Sequence, residues 1–210
     1  MTVREKLLDL ARSQLGVAEP YGDDKYLQWF NHVTGSKVPM TTPWCCVWVS
    51  WCLDTLGAVQ LVKPFASCTQ MTNWFKGQGR WYARGKYTPA PGDVIMYDWD
   101  ASGDSDHVGV VETVTKTAVT TIEGNYSDKV KRRTILLSSK LIRGFCVPDF
   151  PTGDVTGDGK TDARDAQKVL QAAVGKAKLN AKQKHHADVN LDGKVDAADA
   201  LEILKTAVGK

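Results

Sequence analysis

The last third of the chain is a tandem repeat, and nothing else in the sequence constrains the fold as much. Asp154–Lys176 and Asp188–Lys210 align without a gap at an offset of 34, and 14 of the 23 positions are identical. Self-similarity at a fixed period implies two copies of one supersecondary unit. Each copy opens on a twelve-residue window with aspartates at positions 1, 5, 9 and 12. These are Asp154, Asp158, Asp162 and Asp165 in the first copy, and Asp188, Asp192, Asp196 and Asp199 in the second.

Four like charges so close together call for a cation. A hard ion such as Ca²⁺ takes six to eight oxygen ligands, and a loop supplies them from alternate positions 1, 3 and 5, a backbone carbonyl at 7, and a last carboxylate at 12. Thr156 and Asn190 hold position 3, Gly159 and Gly193 permit the sharp turn at position 6, and Lys160 and Lys194 offer their carbonyls. The expected cofactor is therefore two Ca²⁺ ions, one per loop. A hydroxyl is a poorer ligand than an amide oxygen, so Thr156 predicts weaker binding in the first loop. Behind each loop an apolar stripe recurs at helical spacing: Ala166, Val169, Leu170, Ala173 and Val174, then Ala200, Ile203, Leu204, Ala207 and Val208.

The module resembles a type I dockerin over residues 154–210, with Asp rather than a bidentate Glu at position 12 and one short helix after each loop. The resemblance implies a small all-α domain with two EF-hand-like calcium loops. It also implies a cohesin module of a scaffoldin as partner. In dockerins, positions 10 and 11 help to choose the cohesin; here they are Ala163-Arg164 and Ala197-Ala198, so the two faces differ.

Upstream, the composition changes. All seven Trp and all six Tyr lie before residue 148, and Val147-Pro148-Asp149-Phe150-Pro151-Thr152-Gly153 reads as a turn-rich junction. The division expected is a domain at 1–147, a linker at 148–153 and the repeat at 154–210.

Residues 42–57 place a thiol at a helix start. Thr42 fits an N-cap, Pro43 the first helical position and Gly57 the terminus, which puts Cys45 in the first turn. There the helix dipole and unpaired N–H groups favour a thiolate. Cys46 and Cys52 read as core residues. Further on, Val94–Trp99 and Val108–Val111 read as strands flanking a loop, with His107 at the head of the second. A third strand, Val119–Ile122, runs into Glu123-Gly124-Asn125. A helix-borne thiol, a strand-borne imidazole and a polar group on the next strand make the nucleophile, base and orienter of a papain-like site.

At these residues the sequence resembles the CHAP family, cysteine- and histidine-dependent amidohydrolases and peptidases of the cell wall. The matching segments are Pro43-Trp44-Cys45 with Trp48-Val49-Ser50-Trp51, Ser105-Asp106-His107-Val108-Gly109, and Ile122-Glu123-Gly124-Asn125. Ala11–Gly16 and Asn73-Trp74-Phe75 also fit. The resemblance implies an α+β fold with helices packed on an antiparallel sheet. It implies amide-bond hydrolysis in peptidoglycan, with Cys45 as nucleophile, His107 as base, and Glu123 or Asn125 as the orienter. Alternative readings are a papain-like amidase on a non-wall substrate and a non-catalytic, cohesin-binding wall protein. Trp44, Trp99 and Tyr126 flank these motifs and are candidates for groove or core.

The remaining features exclude more than they assign. A net charge of +3 gives no basic footprint for nucleic acid. No apolar run approaches the ~20 residues of a bilayer span. The start of the chain carries Leu7, Leu8, Leu10, Ala11 and Leu15 at amphipathic spacing rather than a signal-peptide core, so the expectation is a secreted, scaffold-associated protein whose signal peptide has been removed. Five cysteines leave at least one thiol unpaired, with Cys46, Cys52, Cys68 and Cys146 open to either state. The loop Asp98–Asp104 mimics a calcium loop but reads first as a polar turn. The basic run Lys129–Arg133 reads as a solvated strand edge.

Overall fold

The structure is a computed structural model and describes residues 2–18, 24–58 and 61–209. Its contacts divide the chain into two compact units, Leu7–Pro148 and Met1–Lys6 with Asp149–Lys210.

The larger unit is α+β. Helices α1 (Val3–Ser13, whose first residues fall on the other side of the division), α2 (Lys25–Thr34), α3 (Cys45–Thr55) and α4 (Cys68–Gly77) come first. Six strands follow: β1 (Trp81–Ala83), β2 (Val94–Tyr97), β3 (His107–Val114), β4 (Ala118–Glu123), β5 (Lys131–Leu136) and β6 (Ile142–Cys146). They form one antiparallel sheet in the order β1-β6-β2-β3-β4-β5. Helix α3 packs on β3 and on α2. Eight of its eleven residues are buried, which is why it reads as continuously apolar rather than striped. Ile95, Tyr97, Val111, Val119, Ile142 and Phe145 gather in one core cluster of the sheet.

The sheet aims the site. Tyr97 pairs with His107, so the imidazole leaves the very start of β3, and Glu123 closes β4 opposite Lys131. A register shift between Val111 and Thr113 leaves Glu112 as the extra residue of a β-bulge. Its buried carboxylate is held by Arg12 at 2.9 Å and by Arg132 at 2.6 Å.

Helix α3 begins two residues later than the sequence predicts. Trp44 is its N-cap and makes no side-chain capping bond, so Thr42 and Pro43 lie in the preceding turn. An uncapped start leaves the first N–H groups of α3 without intrahelical or side-chain acceptors.

The smaller unit holds α5 (Ala163–Ala173), α6 (Ala181–Ala187) and α7 (Ala197–Ala207). Its core pairs equivalent positions of the two repeats: Val155 with Val189, Ala166 with Ala200, and Val169 with Ile203. The stripes are only half buried. Leu170, Val174, Leu204 and Val208 are exposed, because a unit this small lacks a further layer to cover them. The junction is ordered at its C-terminal side: Phe150 and Pro151 are buried, and the Gly153 amide donates to the His186 carbonyl.

Among the described residues no helix is long and apolar enough to cross a membrane.

Candidate active site

Glu123 is fully buried and is surrounded by donors. It accepts hydrogen bonds from Tyr97 Oη at 2.6 Å and Thr121 Oγ1 at 2.7 Å, and from Arg133 Nε at 3.0 Å on both oxygens. Its Oε2 lies 3.1 Å from His107 Nε2. Burial works against its charge, but the hydrogen bonds from His107, Tyr97 and Thr121 hold it below the usual carboxylate range. Its ionised form therefore persists in the interior.

Glycine makes the room for this arrangement. A Cβ at Gly109, two residues beyond His107, would lie 2.6 Å from Cγ of Glu123. At Gly124 a Cβ would lie 2.6 Å from the Trp48 side chain and 2.9 Å from Trp44, so the end of β4 closes directly onto the first turn of α3. The two motif glycines are thus explained by close approach rather than by backbone conformation.

With Nε2 engaged by Glu123, the other ring nitrogen of His107 is left for the Cys45 thiol, and each group shifts the other. Burial lowers the imidazole's pKa, but the contacts with Cys45 and Glu123 outweigh it and push it up to about 9. Cys45 departs from expectation. Its pKa is raised well above the usual thiol value, first by the hydrogen bond with Cys68 and then by burial, with His107 acting in the opposite direction. The two sulfurs are 3.8 Å apart. All five cysteines are free and buried.

The structure brings Cys45, His107 and Glu123 together. Asn125 stands apart, at φ +55° on the lining of two cavities, and makes no hydrogen bond to His107. One cavity, of about 570 Å³, is bordered by Trp44, Thr42, Pro43 and Lys129. The other, of about 370 Å³, is bordered by Trp99, His107, Tyr126 and Arg133. Trp99 and Tyr126 therefore face a groove, whereas Trp44 is buried and stacks on Tyr26 at 5.2 Å as well as bordering a cavity.

Sequence reasoning missed Arg133, Tyr97, Thr121 and Cys68. In the sequence the first reads as part of a solvated basic edge; the alternation of β5 turns Arg133 to Glu123 and Arg132 to Glu112 instead. A basic residue at period two from Lys131, opposite the strand that ends in Glu123, is the signal that was available.

In the loop before His107, Asp98, Asp100 and Asp106 bring carboxylate oxygens within 4.8 Å of one another. Asp98 accepts from the Gly103 amide at 3.0 Å, as Asp154 does from Gly159 at 2.8 Å and Asp188 from Gly193 at 3.0 Å.

In the repeat, positions 9 and 12 double as capping boxes. Asp162 and Asp196 are the N-caps of α5 and α7, with Asp165 and Asp199 at N3. Asp165 accepts from the amides of Val155, Thr156 and Asp162, and so ties the loop to the helix start. Asp199 does the same with Val189, Asn190 and Asp196. The loops differ at position 11. Arg164 donates to Asp158 at 2.6 Å and to Asp162 at 2.7 Å, whereas Ala198 leaves the matching aspartates without such a partner. The donor set, wholly oxygen with several carboxylates per loop, fits Ca²⁺ in both.

The CHAP domain profile matches residues 37–125, which span the thiol, the imidazole and Glu123, and the type I dockerin domain profile matches residues 152–206. The chain carries a CHAP domain followed by a type I dockerin domain. Type I dockerin domains bind calcium. Among solved structures it is similar to the crystal structure of Ly7917, at 16% identity, over 70% of this chain and 63% of that one, with a TM-score of 0.45. It is similar in the same way to Ly7917 with the hydrolyzing product of MDP, at 17% identity over 70% and 63%, with a TM-score of 0.44. The chain thus spans 63% of the length of these structures. No curated protein matches it.

Proposed function

We propose that the CHAP domain is a cysteine amide hydrolase acting on peptidoglycan, and that the dockerin attaches it to a cohesin of an extracellular scaffold. The observation that carries the reading is the His107–Glu123 contact at 3.1 Å, beside a thiol at an uncapped helix start that is electrostatically coupled to the imidazole.

The chemistry follows from that arrangement. Cys45 Sγ attacks the amide carbonyl, and the developing oxyanion is met by backbone N–H groups of the first turn of α3. His107 carries the proton from the thiol to the leaving amine, and water then hydrolyses the thioester. Glu123 holds the ring orientation and stabilises the imidazolium. Both wall amide classes, muramoyl–alanine and peptide bonds, suit this site. Peptidoglycan is supported by the CHAP match and by a groove whose walls, Trp99 and Tyr126, are aromatic.

In the dockerin, two Ca²⁺ ions are the expected complement. Asp154, Thr156, Asp158, Lys160, Asp162 and Asp165 would hold one, and Asp188, Asn190, Asp192, Lys194, Asp196 and Asp199 the other. Their role is structural: binding to loops that do not exist in the unfolded chain adds directly to folding free energy.

Purified peptidoglycan tests the catalytic half. New free amino groups should appear with the wild type and be absent with Cys45→Ala. Native electrophoresis with isolated cohesins, with and without chelator, tests the docking half.

A further inference from the structure

Arg133 reaches beyond the triad. It stands on the edge strand β5, and it reaches both oxygens of Glu123 at 3.0 Å through its Nε. Among the described residues, Nη1 and Nη2 donate to no acceptor of the protein. The guanidinium is nonetheless fixed. It lies 4.2 Å from the ring centroid of Tyr126, 5.2 Å from that of Trp99 and 5.6 Å from that of Tyr97. Its side chain remains 24% exposed and borders the same groove as His107.

A guanidinium held at one end and by its face, with its far edge open to a groove, is a preorganised fork for a carboxylate. Little side-chain entropy remains to be lost when an anion docks there. Glu123 engages only the Nε end of this cation, so the Nη edge carries the positive charge that faces the groove. Aromatic walls on Trp99 and Tyr126 lower the local dielectric and strengthen such a contact.

We infer that Arg133 is a specificity residue that binds a free carboxylate on the substrate next to the scissile amide. This rests on the reading of the site as an amide hydrolase and names the substrate class it selects: peptides with an unamidated acidic residue at the cut. The residue has two functions, holding Glu123 through Nε and reading the substrate through its Nη edge.

The test uses N-acylated peptide pairs that differ only in a carboxylate or a carboxamide beside the scissile bond, placed on either side of it. Binding is measured by calorimetry to the full chain carrying Cys45→Ala, and cleavage with the wild type. The acid should bind about tenfold more tightly than the amide in one pair, and show a similar advantage in kcat/KM. Adding Arg133→Gln should bring the binding ratio close to one, whereas Arg133→Lys should keep part of it. Overall rates fall in both variants because Glu123 loses a partner, so the ratio is the diagnostic quantity. Equal binding of acid and amide, or a ratio unchanged by Arg133→Gln, overturns the assignment. Selective binding without wild-type cleavage would instead defeat the hydrolase reading while leaving Arg133 as a carboxylate receptor. If Arg133→Gln does not fold by circular dichroism, Arg133→Lys decides: a binding ratio that falls supports the assignment, and one that stays unchanged overturns it.

Discussion

The thiols of Cys45 and Cys68 meet at 3.8 Å, each on the first residue of its own helix. Two helix starts that each favour an anion therefore face one another through a shared hydrogen bond. The Cys68 contact is the largest influence on Cys45 and raises its pKa; burial adds to it and His107 opposes it. Removing Cys68 removes the main stabiliser of the neutral thiol. In Cys68→Ala the rise of Cys45 alkylation rate with pH should therefore move to lower pH. Iodoacetamide labelling followed at Cys45 by mass spectrometry reads this, and a limb that stays in place or moves upward contradicts it.

Glu123, and not Asn125, touches His107. Glu123→Ala should lower kcat by about 100-fold, in line with misplacement of a catalytic group by about an ångström. Asn125→Ala should have its main effect on KM, since Asn125 lines the cavities. Gly109→Ala should reproduce the Glu123→Ala loss, because its Cβ would occupy the Glu123 side chain's position. Steady-state kinetics on one wall substrate, with circular dichroism to verify folding, separates these outcomes.

What was legible in the sequence depended on how local the cause is. The repeat and its loops are set within windows of twelve residues and were readable, whereas the capping boxes at Asp162 and Asp196 were not read from those same windows. His107 at the head of β3 and Glu123 at the end of β4 followed from strand patterning and the CHAP resemblance. Cys68 lies 23 residues from Cys45 and 39 from His107 in a separate helix, and no spacing rule links them. Arg133 reads as one charge in a basic run until β5 is paired with β4. The same applies to the thiol: a helix start lowers a pKa, but packing against a second thiol outweighs it, and packing is not written in local sequence.

Arg164 already occupies two of the first loop's carboxylates, Asp158 and Asp162. Calcium must displace it, whereas Ala198 imposes no such competition in the second loop. With Thr156 as the poorer ligand, the first loop should be the weaker site. Arg164→Ala should strengthen it by a few-fold, as expected for exposed ion pairs. Calorimetric titration of the calcium-stripped chain should resolve two classes of site that converge in the variant. Two equal sites in the wild type would contradict this.

Chelation should unfold the dockerin more than the CHAP domain. The half-buried stripes of α5 and α7 supply too little core to hold the unit without metal. In excess chelator the helical ellipticity should drop by the share of α5, α6 and α7, while the near-ultraviolet signal of the seven tryptophans, all in the larger unit, is retained. Unchanged ellipticity would contradict a structural role for calcium.

The most direct test of the central claim is mass spectrometry of muropeptides released from purified peptidoglycan. Products are expected in which each new amine is matched by a new carboxyl at a single amide class, formed by the wild type and by neither Cys45→Ala nor His107→Ala. No release by the wild type, or equal release by Cys45→Ala, would contradict it.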